Sequence, residues 1–290
     1  MRSACESSFN REPGWLPAPA PFLKWAGGKS QLLTQFRRLL PADAARRRYH
    51  EPFLGGGALF FALAPKRACL GDCNADLMAT YQVVQRDLEG LLAALAPLTR
   101  GHSQARYYGV RRRWNTQRAR LLPAQRAALF IYLNKTGYNG LWRVNSRGEN
   151  NVPAGRYQRP GVYDPALLRA DAALLARAQL CTGPFESVLE RAQAGDFVYL
   201  DPPYQPLSRT ASFTAYARGG FGEADQRRLA DVFGQLDRRG CLVMLSNSDC
   251  VPIRTLYRHF RIDAVQAARS INSKGGGRGL ISELVVRNYG

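Results

Sequence analysis

The sequence predicts an α/β protein, a doubly wound and largely parallel sheet with a basic, mostly helical region inserted into it. Three observations carry this. Short apolar runs alternate with helix-period segments along most of the chain, the order that lays crossover helices over parallel strands. Two of those runs end in loops suited to ligands, Gly55-Gly-Gly57 and Asp201-Pro-Pro-Tyr204, and open α/β sheets bind ligands beyond the carboxyl ends of their strands. Between Gly90 and Gly148 there is no Asp or Glu, while Arg100, Arg106, Arg111, Arg112, Arg113, Arg118, Arg120, Arg126, Lys135, Arg143 and Arg147 all fall there.

The chain has 290 residues, length enough for one large domain or two smaller ones. A hydrophobic share of 46% and a charged share of 22% fit a soluble globular protein, and no apolar run approaches a membrane span. Residues 1–20 lack the pattern of a signal peptide and, with Pro13, Pro17 and Pro19, read as a loose tail. Six cysteines are scattered, and the close pair Cys69 and Cys73 has no histidine nearby. Reduced thiols in the cytoplasm are expected, not zinc or disulfides. The net charge of +19 implies an anionic partner. A one-sign block interleaved with Tyr107, Tyr108, Trp114 and Trp142 favours nucleic acid. A basic membrane-binding face is the rival, but it needs one long amphipathic helix that this stretch lacks.

After the tail comes Phe22-Leu-Lys-Trp-Ala-Gly-Gly-Lys29, a tight turn after which Ser30 is expected to cap a helix carrying Leu32, Leu33, Phe36 and Leu39. Gly-Gly-Lys-Ser is not a phosphate loop, because the first glycine of that pattern would stand at position 23, which is Leu23. A short strand then ends at His50-Glu51, followed by the glycine turn Gly55–Gly57 and a helix from Ala58 to Leu63. Glycines let a ligand approach the backbone. Seventeen residues after Gly55, Asp72 ends the next strand, Ala68 to Leu70 and beyond, where an acid can grip a ribose hydroxyl pair. Glycine turn and acid suggest a nucleoside-containing cofactor; a plain βαβ unit with an Asp cap is the alternative.

One helix is expected from Asp76, with Leu77, Tyr81, Val84, Leu88, Leu91 and Leu95 on its apolar face, ending before Pro97. The acid-free block reads as helices over about 103–120 and 124–134. Turn residues surround Leu141–Asn145 in the stretch 135–155, which reads as a hairpin or extended arm bearing Arg143 and Arg147. Such an arm suits a DNA groove, or is a solvated surface hairpin. From Asp164 the chain returns to α/β order: a helix with Leu167, Leu168, Leu174 and Leu175, strands at 180–182 and 197–200, a helix with Leu229, Val232, Phe233 and Leu236, and strands at 241–245 and 281–287.

The run Phe197–Leu200 feeds straight into Asp201-Pro-Pro-Tyr204. Pro202 and Pro203 end the strand and stiffen the loop. A carboxylate, a proline carbonyl and an aromatic face suit a planar ring with an exocyclic amine: two acceptors for its N–H groups, and Tyr204 to stack on. An ordinary strand-to-loop turn is the plainer reading of the tetrapeptide alone.

Taken together these pieces resemble the Dam-type DNA adenine-N6 methyltransferases of the D12 class. The resemblance runs from Phe22 to Tyr289. It rests on Phe22–Lys29, Glu51–Gly57 and Asp201–Tyr204, with Tyr132-Leu-Asn134, Gly137–Leu141, Asn151-Val-Pro153, Gly155-Arg-Tyr157, Phe213–Tyr216 and Ser246-Asn247. It implies a Rossmann-like sheet that uses S-adenosylmethionine (AdoMet) and releases S-adenosylhomocysteine, with no metal. The implied division is a flexible tail over 1–20, a catalytic domain over 21–80 and 164–290, and a helical plus β-hairpin target-recognition domain over 81–163. By position Trp25, Lys29, Phe53, Gly55, Gly57, Asp72, Phe185 and Asp201 match cofactor positions. Lys24, Tyr138, Asn139, Leu141, Arg143, Asn145 and Arg156 match DNA positions. Asp201, Pro202, Pro203 and Tyr204 match the catalytic loop. The implied partner is double-stranded DNA, with no membrane, acting as a monomer in a prokaryotic cytoplasm or from a phage. The implied target is adenine in 5′-GATC-3′; a different DNA site, an RNA methyltransferase or a non-catalytic DNA-binding module are the other readings. Ala58 after the glycine loop, Lys135-Thr136 and Asn150 depart from the family pattern.

Overall fold

The computed structural model describes residues 17–205, 221–268 and 280–290; the tail up to residue 16 and the Phe213–Tyr216 motif lie outside them. An extended entry segment leads into a short 3-10 turn, Lys29–Leu32, and α1 (Leu33–Phe36). The capped helix expected from Ser30 is replaced by this turn. It starts after Gly28 with no side-chain cap, and it still buries Leu32 and Phe36.

β1 (Arg48–Glu51), α2 (Ala58–Leu63) and β2 (Arg67–Asp72) follow as expected. α3 (Ala75–Arg86) is capped by Asn74, whose side chain accepts from Leu77 N. The single helix expected to run to Pro97 breaks at Asp87, φ −142°. That carboxylate accepts from Gly90 N and starts α4 (Leu88–Leu95), a local side-chain bond that competes with continued helix. α5 (Gln104–Gln117) begins on a Ser103 cap and α6 (Pro123–Thr136) on a proline whose missing N–H costs nothing at that position.

The expected hairpin over 135–155 is a loop instead. Lys135 and Thr136 complete α6, Tyr138–Gly140 forms a 3-10 turn, and two isolated antiparallel bridges, Gly137 to Ala154 and Val144 to Asn150, replace a ladder. The cause is side-chain competition for the backbone. Asn145 Oδ1 accepts from both Arg147 N and Glu149 N, and Asn115 on α5 clamps both backbone groups of Asn150. Trp142 is buried against Phe130 and Trp114.

Then come α7 (Pro165–Leu175), β3 (Ala178–Thr182), β4 (Phe197–Leu200), α8 (Glu223–Arg238), β5 (Leu242–Ser248), α9 (Val251–Leu256), β6 (Arg261–Ala268) and β7 (Leu280–Arg287). The sequence did not suggest α9 or β6. The insertion does fall between β2 and β3, as expected.

The seven strands stand in the order β3-β2-β1-β4-β5-β7-β6, parallel from β3 to β5, with β7 antiparallel to both β5 and β6. Alternate residues feed two apolar layers, as the period of a strand requires. Phe197, Tyr199, Met244 and Val285 join the layer with α2, α3 and the inserted helices. Val198, Leu200, Val243, Leu245, Leu284 and Val286 join the layer with α8 and α9. Trp114, Phe130 and Trp142 of the inserted region belong to the first layer, so that region shares the sheet's core. The strand order reverses between β1 and β4, which puts the loops after these two strands side by side where such sheets take ligands.

Candidate active site

β4 is buried at all four residues, and Pro202 stops it so that Asp201 stands at its carboxyl end. Lys29 Nζ comes within 2.9 Å of Asp201 Oδ1 as an ion pair. The approach lacks hydrogen-bond alignment, so this buried oxygen has no aligned donor among the described residues. Burial pushes the Asp201 carboxyl up to about 6; the Lys29 charge opposes the rise and Glu283 adds to it. Lys29 also donates to Gly27 O at 2.6 Å and lies 4.6 Å from the centre of the Tyr204 ring.

The rest of the loop is held from several elements. Gln226 on α8 donates to Pro203 O at 3.1 Å. Asn247 on β5 accepts from Gln205 N and donates to Gln226 Oε1, and Ser248 donates to Gln205 O at 2.6 Å. Tyr204 donates its hydroxyl to Glu283 on β7 at 2.7 Å. Only Asn247 of these holders stood in a motif quoted from the sequence. Polar residues inside an otherwise apolar strand or helix face were the available signal for the others.

The glycine turn lies beside this loop. Gly55 has φ +48° and a Cβ there would fall 2.6 Å from Trp25 Cδ1, so the position requires glycine and the indole lies directly on it. Asp72, the last residue of β2, accepts from Gly55 N at 3.0 Å and from Asn74 N at 2.9 Å. Burial raises its carboxyl, and these backbone donors oppose that. Tyr81 on α3 donates to Gly55 O. Gly57 caps α2 in the left-handed region. Phe53 and Phe185 stack with centroids 5.2 Å apart, and Phe221 meets both edge-on or tilted. Glu51 is buried beneath, takes a hydrogen bond from Tyr49 at 2.8 Å, and is pushed well up by burial.

The structure therefore brings Trp25, Gly55 and Asp72 into one contact set, Lys29, Asp201 and Tyr204 into another, and Phe53 with Phe185 into a third. A nucleoside with a charged aminoacyl end fits this donor and acceptor set: a carboxylate at the end of β2, an apolar aromatic cluster, and the Asp201 carboxylate paired with Lys29. Among the described residues no group of three or more His, Cys, Asp or Glu is placed to hold a metal ion, and no helix is long and apolar enough to cross a membrane.

The positions expected to touch DNA fall on a neighbouring surface. Asn134, fully buried on α6, accepts from Lys24 N, donates to Lys24 O and donates to Gly140 O. Gly140, φ +64°, is pressed against the Lys24 side chain, where a Cβ would fall 2.4 Å away. Lys24 Nζ reaches Tyr157 Oη at 3.1 Å. Tyr138 is 47% exposed and leaves its ring free of the core. Asn139, Arg143 and Arg156 are exposed, and Leu141 is half-buried. Arg143 Nε donates to Asn151 Oδ1 at 2.8 Å. Asn145 spends its side chain inside the Asn145–Glu149 turn. Asn150, one of the departures from the family pattern, is buried and fixed by Asn115.

The sequence model of the D12 class N6 adenine-specific DNA methyltransferases matches residues 25–271. The type II methyltransferase M1.LlaDCHI of Lactococcus lactis subsp. cremoris is 41% identical over 273 residues, 93% of this chain and 95% of the relative. The type II methyltransferase M.MjaIII of Methanocaldococcus jannaschii is 43% identical over 285 residues, 93% of this chain and 99% of the relative. The DNA adenine methylase of Escherichia coli K12 is 38% identical over 267 residues, 91% and 94% of the two chains.

Proposed function

The chain belongs to the D12 class of N6 adenine-specific DNA methyltransferases, and we propose that it methylates a flipped-out adenine in 5′-GATC-3′ with the Asp201–Tyr204 loop as its catalytic centre. The observation that carries the proposal is the position of Asp201. It sits at the sheet's reversal point, paired with Lys29 at 2.9 Å, beside the glycine turn and Asp72.

Asp72 would hold the ribose of AdoMet, Trp25 and Gly55 would pack along it, and Phe53 and Phe185 would flank its adenine. When bound, AdoMet supplies an electrophilic sulfonium methyl and leaves as S-adenosylhomocysteine. The protein's part is to prepare the nucleophile. The target amine is weak because its lone pair is delocalised into the ring. With Pro203 O engaged by Gln226, the Asp201 carboxylate and the Pro202 carbonyl accept the two N–H groups and favour a pyramidal nitrogen. Catalysis is then positioning plus electrostatics. Lys29 keeps Asp201 ionised against its burial. The alkylated nitrogen is acidic, so Asp201 need not be a strong base. A base inside the helix cannot reach this loop, which requires flipping, and Tyr204 receives the ring.

Residues 81–163 are proposed as the target-reading region, working in duplex DNA as a monomer. Arg143 is placed to read a guanine edge, the commonest specific contact of arginine, with Tyr138 and Leu141 at the flipped position. Lys24, Asn139 and Arg156 lie on the same surface, and Asn145 shapes the turn that carries it. The DNA adenine methylase relatives support the GATC assignment. Labelled-methyl transfer from AdoMet to duplex DNA, RNA and protein substrates tests the reading: label on adenine N6 of DNA alone is expected, and label on RNA or protein instead contradicts it.

A further inference from the structure

Glu283 is an anomaly in β7. Its neighbours Leu284, Val285 and Val286 are all buried apolar residues, yet a carboxylate stands in mid-strand, paired to Ser248 of β5 on one side and Val265 of β6 on the other. Ser248 is the last residue of β5, so Glu283 lies at the carboxyl edge of the sheet, the edge from which Asp201 emerges. A carboxylate held between two paired strands has little freedom to move. Its Oε2 accepts the Tyr204 hydroxyl at 2.7 Å.

We propose that Glu283 is a positioning residue for the reaction: it fixes the Tyr204 ring that receives the flipped adenine. This rests on the reading that the Asp201–Tyr204 loop is the catalytic centre. A tyrosine has two side-chain torsions to fix. Prolines on its N-terminal side fix its backbone but not its ring. The hydrogen bond to Glu283 fixes the far end of the ring, while the Lys29 ammonium lies over its face at 4.6 Å. The two contacts define one ring plane, and a stacked base needs one plane.

The charge has a second effect. The groups that act on Asp201 are Lys29 from the turn before α1, Glu51 and Tyr49 from β1, Tyr199 from β4, Tyr204 within the loop and Glu283 from β7. Burial raises Glu51 and the tyrosines and so favours their neutral forms, while Lys29 and Glu283 act on Asp201 in opposite directions. Burial raises Asp201, Lys29 lowers it and Glu283 raises it again. Removing the Glu283 charge therefore lets Asp201 ionise at lower pH.

The test uses the full chain with AdoMet and duplex DNA, comparing wild type with Tyr204→Phe, Glu283→Gln, Glu283→Leu and the Tyr204→Phe, Glu283→Leu double variant. The Phe and Gln changes are near-isosteric, so the fold is kept. Tyr204→Phe and Glu283→Leu should each lower kcat by roughly 10- to 100-fold, the scale of one charge-assisted hydrogen bond, and the double variant should fall no further than either. The KM for AdoMet should not move. Glu283→Gln keeps an acceptor and should recover most of kcat, while the acid limb of its pH–rate profile shifts to lower pH. Additive losses, or an acid limb unmoved in Glu283→Gln, would overturn the role while wild-type methylation leaves the loop reading intact. Absence of adenine methylation by the wild type would overturn the loop reading and this role with it.

Discussion

Asp201 is a residue whose chemistry and burial pull in opposite directions. For its proposed role as acceptor for the target amine it must be ionised, yet burial raises it to about 6. Activity should therefore fall as pH drops through about 6. The stability sign is the reverse. A carboxylate raised above its ordinary value of about 4 favours the fold when protonated, and that contribution is lost as pH rises through about 6. Asp201→Asn is accordingly expected to unfold at higher temperature than wild type at pH 8 while losing kcat by at least about 100-fold. Calorimetric melting and methyl transfer on the same preparation check both halves, and a gel shift should show DNA binding largely retained. Asp72→Ala should weaken AdoMet binding by about 1.5–3 kcal/mol; unchanged affinity by titration calorimetry would make Asp72 a structural tie between Gly55 and Asn74. Asp201 stood out because Pro202 stops its strand, and Asp72 because it follows the strand-like run after the glycine turn, seventeen residues beyond Gly55. Gln226, Ser248 and Glu283 were not assigned, since each shows only as a polar residue in an apolar stretch and its partner lies 23 to 79 residues away.

At the scale of elements, strong apolar periodicity predicted well and weak periodicity did not. β4 was plain because all four of its residues are apolar or aromatic, and β7 because Leu284, Val285 and Val286 form an apolar run. β6 reads Arg-Ile-Asp-Ala-Val-Gln-Ala-Ala, and as the sheet's edge strand it exposes polar side chains, so alternation is diluted. The Asp87 break was hidden because Leu88, Leu91 and Leu95 continue the apolar stripe. The hairpin expectation failed where side chains captured the backbone. This also separates the three consecutive arginines on α5. Arg111 donates to Val152 O at 2.8 Å beside the Tyr107 hydroxyl on the same carbonyl, whereas Arg112 and Arg113 are exposed. Arg111→Ala should loosen the 150–153 loop and cost roughly 1–2 kcal/mol of stability. Arg112→Ala and Arg113→Ala should leave melting unchanged, and each should reduce the slope of log affinity against log salt by about 0.9. Equal behaviour of all three in salt titrations would contradict the division.

For the molecule as a whole, the charge of +19 and the shared core belong together. The inserted helices pack on the same apolar layer as the sheet, and buried Asn134 on α6 ties the Lys24 segment to Gly140. Composition made the DNA partner visible at once. The target sequence is the finer question, because it depends on a few side chains at base edges and not on the block of charge. The most direct test is to express wild type and Asp201→Ala in cells lacking adenine methylation and to map N6-methyladenine across the genome. The account predicts modified adenines within GATC for the wild type and none for Asp201→Ala. Methylation that survives Asp201→Ala, or that lies mainly outside GATC in the wild type, would contradict it.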